Sequence, residues 1–193
     1  MISYYPVALA AAIAAAILVL GLVYLWRRRR PRGGVAEALR AIGVDSLQDI
    51  LLPDGMGGQI HLQHVLLTVK GLVVLELKTV EGMVFASDRM DEWTVIGRAG
   101  RFSFQNPQPA LYERVAALRS QARDIPVAGH VLFLEQADFS KGRPTEVIFP
   151  DELRARYGKP ERAELERLME AFYPHWEKVL EASKPAPRVA NPV

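Results

Sequence analysis

The residues best placed to do chemistry are Glu76 and Lys78, which end an apolar stretch that includes Leu72 to Leu75. Residues two apart on a strand point to the same face, so the carboxylate and the ammonium project together. Burying either charge alone is costly, which indicates a paired role or a position facing solvent. In metal-dependent phosphodiester hydrolysis such an acid binds Mg²⁺ while the lysine positions or deprotonates water. An ordinary ion pair at a strand end is the competing interpretation.

A hairpin must position this pair. The stretches Gln59–Val69 and Leu72–Thr79 are both strand-like and are joined at Lys70-Gly71. Glycine permits the positive φ of a tight turn, so we expect two antiparallel strands here. Glu76 and Lys78 then lie near the free end of the second strand.

The surrounding segments predict an α/β (α+β) fold, a mixed sheet flanked by helices. An apolar stub at Leu51-Leu52 precedes a turn. The other predicted elements are a helix at Val35–Ile42, strands at Met83–Ser87 and Trp93–Ile96, a helix ending at Gln121, a buried strand at Val127–Leu134 and a short strand at Thr145–Phe149.

We divide the soluble part into three regions by composition. Residues 35–150 form the α/β domain, and residues 151–182 form a helical extension with a break expected at Pro174. Residues 183–193 are rich in proline and alanine, which predicts a disordered tail.

Residues 5–26 contain no charge and are almost wholly apolar. At ~1.5 Å per residue they are long enough to cross a bilayer core of about 30 Å, which predicts a transmembrane helix. A cleavable signal peptide, the rival interpretation, expects its basic residues before the apolar run. Here the basic linker, residues 27–34, follows the run. Because basic residues stay on the cytoplasmic side, we expect a bacterial inner-membrane protein with its N-terminus outside and its domain in the cytoplasm.

The net charge of +2 hides an uneven distribution. Five of the 24 basic residues are the arginines at 27–30 and 32, whereas all 22 acidic residues lie beyond Pro31. Without those five arginines, 19 basic residues face 22 acidic ones, so the soluble part carries about −3. Nonspecific nucleic-acid binders usually carry a basic excess, so any nucleic-acid site here must be local. The absence of cysteine excludes disulfides, thiolate metal sites and a cysteine nucleophile.

Several of these segments together resemble the NERD (nuclease-related) domain, a relative of the PD-(D/E)XK restriction-endonuclease-like superfamily. The resemblance runs from about Gly34 to about Leu134 and keeps the expected order of motifs. The motifs are Ile60–Thr68, Lys70–Lys78, Glu81-Gly82, Trp93 and Phe104–Pro107. It implies a core of helix, three-stranded meander, helix and strand, and a Mg²⁺-dependent nuclease site as the ancestral function.

The resemblance also assigns roles to individual residues. Glu76 and Lys78 match the second acid and the lysine of the family, and Glu37 falls near its helical glutamate. The first metal-binding aspartate falls on Gln63, whose neutral amide offers an oxygen but no charge to offset a divalent cation. The implied metal ligands are therefore Glu76, Gln63 and Glu37.

Two interpretations of Gln63 stay open. Either another acid completes the site, with Asp54, Glu37 and Glu81 as candidates, or the metal site has decayed. The family's glutamine after Asn-Pro is also displaced. Ala110 stands at that place, and Gln108 lies two residues before it.

The remaining candidates have both a functional and a structural interpretation. Arg98, Arg101 and Arg114 form either a local phosphate-contacting face or a solvated surface. The aromatic residues Trp93, Phe102 and Phe104 are suited to stacking on bases, although core packing is the commoner use.

Histidines His61 and His64 are expected to be strand residues rather than metal ligands. His130, within the apolar stretch Val127–Leu134, is expected to be a partnered core histidine.

Two functions compete at this level. The first is a membrane-tethered nuclease-related domain that contacts or cleaves DNA or RNA, with Mg²⁺ as its cofactor. The second is a catalytically inactive domain that binds a protein partner at the inner membrane. The intact Glu76 and Lys78 favour the first, while Gln63 and the negative net charge of the domain favour the second.

Overall fold

The structure, a computed structural model, describes Leu18 and residues 35–134, 137–158 and 162–187. The helices are α1 (Val35–Ile42), α2 (Gln108–Gln121), α3 (Pro150–Tyr157) and α4 (Arg162–Ala182). The strands are β1 (Asp45–Pro53), β2 (Gln59–Thr68), β3 (Gly71–Lys78), β4 (Gly82–Phe85), β5 (Glu92–Gly97), β6 (Gly100–Gln105), β7 (Val127–Phe133), β8 (Ala137–Asp138), β9 (Val147–Ile148) and β10 (Lys184–Pro185).

The predicted hairpin is confirmed. Strands β2 and β3 pair antiparallel from Thr68 opposite Gly71 to His64 opposite Leu75. Gly71 has a φ of 103°, and a Cβ there would lie 2.2 Å from the Pro126 carbonyl oxygen. Only glycine fits both the turn and this close approach of the chain.

The larger sheet has six strands in the order β10-β1-β2-β3-β7-β9. Strand β7 runs parallel to β3, with Glu76 opposite Val131, and its apolar sequence follows from being covered on both faces. Helix α2 covers one face, where it approaches Gly129 so closely that a Cβ would lie 2.5 Å from Val115. On the other face, buried Leu39 of α1 and Leu153 of α3 pack with Leu75.

A second sheet of four strands, β6-β5-β4-β8, adjoins the first one. Trp93 of β5 is fully buried and stacks on Phe133 of β7, with ring centroids 6.4 Å apart. The fold is therefore a mixed α/β fold with two mixed sheets, whereas the sequence predicts a single mixed sheet.

The chain between α1 and the hairpin also differs from the expectation. Residues Asp45–Pro53 form a nine-residue strand rather than an apolar stub. Its pairing with β2 is interrupted at Asp49, which has a φ of 49°. The polar residues in its first half hide the strand, because the alternation of polar and apolar side chains is lost there.

The C-terminal region is more ordered than its composition predicts. Helix α4 continues through Pro174 without the expected break, since Trp176 and Val179 are both fully buried in the core beyond it. The Trp176 indole also donates a 2.8 Å hydrogen bond to Asp45. Within the predicted disordered tail, Lys184–Pro185 pairs with β1, and residues 188–193 lie outside the described part.

Of the helices within the described residues, none combines the length and the apolar character needed to cross a bilayer. The predicted membrane helix, residues 5–26, lies outside the described residues except for Leu18, as does the predicted linker, residues 27–34.

Candidate functional site

Glu76 and Lys78 lie at the C-terminal end of β3, where the strand leaves its antiparallel partner β2 and continues beside β7. Their side chains point to the same face, and Lys78 Nζ lies 3.0 Å from Glu76 Oε1. The glutamate side chain is 15% exposed and the lysine side chain 31% exposed. The pair is therefore accessible from one side and packed on the other.

Helix α2 adds a second cation to this carboxylate. Arg114 Nη1 donates a hydrogen bond to Glu76 Oε2 at 2.5 Å, and Arg114 Nε donates another to the carbonyl of His61 at 2.8 Å. Charge-assisted bonds of this kind are among the strongest in proteins. Glu76, Lys78 and Arg114 therefore form one cluster, which we call the Glu76 centre, with a formal charge of +1.

Gln63 lies on β2 next to Glu76, as the resemblance implies, but its amide oxygen is engaged. It accepts a 2.7 Å hydrogen bond from the backbone N–H of Leu77. This bond continues the β2–β3 pairing by one step beyond His64 opposite Leu75. The side chain thus satisfies a backbone donor that the diverging strands would leave unpaired.

The other acids considered from the sequence have different partners. Glu37 of α1 faces Arg154 of α3 at 3.5 Å, in the layer on the opposite face of the sheet. Asp54 accepts hydrogen bonds within its own turn, and Glu81 lies 3.9 Å from Arg98. None of the three joins Glu76, so the structure does not support Glu37 as a third ligand beside it.

The donor set of the Glu76 centre does not fit Mg²⁺. A magnesium site needs oxygen ligands with one or two carboxylates free to coordinate. Here one carboxylate is neutralised by two cations and the neighbouring amide oxygen is engaged. Within the described ranges no three potential ligands from His, Asp and Glu side chains converge. The arrangement instead suits an anion, because two cations surround one partly buried carboxylate.

The three predicted arginines do not share one surface. Arg114 belongs to the Glu76 centre, whereas Arg98 and Arg101 lie at the tip of the β5–β6 hairpin. The sequence identified Arg114 as a possible phosphate contact but gave no sign of its bond to Glu76. That contact depends on how α2 is placed over β3, which no local pattern reports.

Aromatic side chains border the Glu76 centre. Lys78 Nζ lies 5.9 Å from the ring centroid of Phe104, which packs edge-on against buried Trp93 at 6.0 Å. The displaced glutamine of the sequence motif, Gln108, is buried and donates a hydrogen bond to Asp88 at 2.9 Å. It therefore has a structural partner away from Glu76.

His130 is a buried, partnered histidine, as the sequence predicts. Its Nε2 shares a 2.8 Å hydrogen bond with the Tyr157 hydroxyl, and its Nδ1 lies 3.4 Å from the Glu146 carboxylate. Burial, with a smaller effect from Arg156, lowers the pKa of His130 to about 4. It faces a cavity of about 300 Å³ on the sheet face opposite the Glu76 centre, which the sequence did not reveal.

Comparison with known families agrees with this geometry. The family model of the nuclease-related domain, NERD, matches residues 34–134, slightly more than half of the 193 residues. The matched segment contains the β2–β3 hairpin, the β4–β6 strands, α2 and β7. The chain belongs to the NERD family. No curated protein and no solved structure matches it.

Proposed function

We propose that this NERD domain binds the phosphodiester backbone of nucleic acid at the Glu76 centre and that its Mg²⁺-dependent cleavage is impaired. The observation that carries the proposal is the double ion pair of Glu76 with Lys78 and Arg114. One positive charge remains after the carboxylate is counted, and it lies on partly exposed donors. A phosphate oxyanion is the ligand that such donors favour.

The Glu76 centre is suited to binding and orienting a phosphate group. Glu76 holds the Arg114 guanidinium and the Lys78 ammonium close together, so that their remaining N–H groups are available to one phosphate group. Lys78 lies 3.0 Å from the carboxylate and offers N–H donors, which suits contact with an anion. Descent from a nuclease-related domain accounts for the position of Glu76 and Lys78 at the strand end. Gln63 in place of an aspartate accounts for the impaired hydrolysis.

The fold supports a restriction-endonuclease-like relationship within the PD-(D/E)XK superfamily as part of the proposal. Helix α1, the three-stranded antiparallel meander β1–β3, helix α2 and the parallel strand β7 occur in the implied order, with the three strands β4–β6 inserted between the meander and α2. The acid and the lysine stand at the end of a hairpin strand, beside that parallel strand.

A tether to the bacterial inner membrane completes the proposed function. It rests on the uncharged residues 5–26 and the five arginines that follow, which favour a cytoplasmic domain by the positive-inside rule. The lipid bilayer is then one partner, and DNA or RNA in the cytoplasm is the other. The charge of about −3 on the rest of the chain requires that nucleic-acid contact be confined to the Glu76 centre and its surroundings.

The competing function is an inactive domain that binds a protein partner at the membrane. It is favoured by the same double ion pair, which leaves Glu76 without an open side for a metal. Affinity for nucleic acid distinguishes the two functions, since only the first one requires it.

Cleavage assays on the full chain in detergent micelles test the proposal. Labelled DNA and RNA are incubated with Mg²⁺ or Mn²⁺, using wild-type protein, Gln63→Asp and the control Gln59→Asp on the same strand. We expect little or no cleavage by the wild type, and a gain only in Gln63→Asp, which places a second carboxylate beside Glu76. Cleavage by the wild type that Lys78→Ala abolishes would show an intact nuclease. Neither cleavage nor binding by any variant would favour the inactive interaction domain.

A further inference from the structure

Two phenylalanine rings extend outward from the Glu76 centre along β6. Phe104 is partly buried, and Phe102, two residues earlier on the same face, is 50% exposed. Their ring centroids are 6.4 Å apart, and Lys78 Nζ lies 5.9 Å from the centroid of Phe104. The lysine and the two rings thus form a row from the centre to the surface.

The row continues a buried aromatic cluster. Trp93, opposite Phe104 in the β5–β6 pairing, is fully buried, and Val95, opposite Phe102, is also fully buried. Exposure therefore rises along this face from Trp93 to Phe104 to Phe102. The core accounts for Trp93 and part of Phe104, but it leaves half of Phe102 in water, where a large apolar side chain has no folding benefit.

One of the two rings lies against a cation. Lys78 stands at the inner end of the row, whereas the exposed Arg101, one residue before Phe102, lies on the opposite face of β6. Arg98, 95% exposed, stands at the hairpin tip, where Glu81 is its acidic neighbour at 3.9 Å. An exposed aromatic face with a lysine at one end matches a ligand that joins a flat ring to an anion. A nucleotide unit within a single strand has both parts.

We propose that the domain selects single-stranded nucleic acid, with an unpaired base stacked on Phe102 and the adjoining phosphate at Lys78. This inference rests on the proposed function, since it uses the same phosphate contact. Base pairs in a duplex are stacked on one another and do not present a free face to a side chain. A single strand presents that face without the cost of opening the helix.

The test measures binding of the full chain in detergent micelles, with EDTA present, by fluorescence anisotropy. The probes are a labelled single strand of about 16 nucleotides and the duplex of the same sequence. We expect the wild type to bind the single strand about tenfold more tightly than the duplex. Phe102→Leu, which keeps apolar area but removes the ring, should weaken single-strand binding about tenfold and leave duplex binding unchanged.

Two further variants make the readout specific to stacking. Phe102→Tyr keeps the ring and should retain single-strand affinity. Tyr173→Ala removes an aromatic side chain, 39% exposed, from helix α4 and should leave single-strand affinity unchanged. If Phe102→Leu fails to fold, Phe102→Trp takes its place. The indole fluorescence should then be quenched by the single strand and not by the duplex.

The outcomes separate this inference from the proposed function. Equal affinity for both probes that Lys78→Ala weakens and Phe102→Leu does not change would overturn the inference and leave the phosphate site standing. Absence of binding to either probe would overturn both.

Discussion

At the scale of single residues, the main finding is that Arg114 occupies the side of Glu76 where a metal-dependent site needs an open carboxylate. Its guanidinium bonds to Glu76 Oε2 and to the His61 carbonyl at once. Gln63 contributes a backbone hydrogen bond where the family resemblance implies an aspartate. The Glu76 carboxylate therefore belongs to a cationic cluster with Lys78 and Arg114 and lies beside a neutral amide.

We expect Arg114→Ala to lower the free energy of unfolding by about 2 kcal/mol, because it removes a charge-assisted bond from a carboxylate with 15% side-chain exposure. It should also weaken nucleic-acid binding in proportion to the lost phosphate donor. Denaturant unfolding and anisotropy on the same preparations check both effects. Arg123→Ala, in the turn that follows the same helix, is the control, since Arg123 is exposed and its guanidinium bonds to the nearby Ser120 carbonyl at 3.4 Å. Equal effects from the two variants would contradict the role of Arg114.

Because folding lowers the pKa of His130, we expect the stability of the protein to depend on pH. Its pKa falls from 6.5 to about 4 on folding, chiefly through burial. Between pH 6.5 and pH 4 the His130 imidazole is protonated in the unfolded chain and neutral in the folded chain. The free energy of unfolding should therefore fall as the pH drops from 6.5 to 4. The loss attributable to His130 is up to about 3 kcal/mol. Burial raises the pKa of Glu146 and opposes this trend.

The comparison of variants isolates the histidine. Urea unfolding followed by tryptophan fluorescence should show a shallower pH dependence in His130→Gln than in the wild type. His61→Gln, on an exposed histidine beside Asp49, should match the wild type. An unchanged slope in His130→Gln would show that other groups cause the loss.

At the scale of elements, the site depends on how closely α2 approaches the sheet. Gly129 on β7 allows the contact, since a Cβ there would lie 2.5 Å from Val115 and 3.1 Å from Leu111. Arg114 precedes Val115, so any shift of the helix moves the guanidinium away from Glu76.

We therefore expect Gly129→Ala to cost about 1–3 kcal/mol of stability through overpacking and to reduce nucleic-acid affinity as well. The double variant Gly129→Ala/Val115→Ala relieves the clash and should recover part of the affinity. Thermal unfolding and anisotropy measure the two effects. Loss of stability with full affinity would mean that Arg114 acts independently of the helix position.

The elements that the sequence predicted well are those with a strong local pattern. The β2–β3 hairpin, helix α2 and strand β7 lie within one or two residues of their predicted bounds. Strands β1 and β6 lacked such a pattern. Strand β6 is an edge strand with mainly exposed side chains, and β1 opens with polar residues. The continuity of α4 through Pro174 was also hidden, because it depends on long-range packing of Trp176.

The site was predicted only in part for the same reason. Glu76 and Lys78 share a strand, so their proximity follows from a spacing of two residues. Arg114 reaches Glu76 across 38 residues of sequence, and Gln63 reaches Leu77 across 14. Contacts of that separation require the register and the helix position, which the sequence pattern leaves undetermined.

At the scale of the whole molecule, the net negative charge of the chain beyond the arginines opposes binding to nucleic acid. The chain beyond Pro31, apart from Arg32, carries about −3, while the Glu76 centre is locally positive. Repulsion between the domain and polyanions should therefore limit contact to that centre, and binding should depend on few phosphates. A tether at the inner membrane would raise the local concentration of the domain near its substrate and so offset modest affinity.

Metal-independent binding at the Glu76 centre is tested by measuring the affinity of the full chain for a labelled single strand in EDTA and in Mg²⁺. We expect equal dissociation constants under both conditions, because the proposed phosphate contacts of Lys78 and Arg114 require no metal. Lys78→Ala should weaken both equally, and Lys70→Ala, on the exposed hairpin turn, should change neither. Binding that appears only with Mg²⁺ would contradict the proposed phosphate site and show that the Glu76 centre opens to hold a divalent cation.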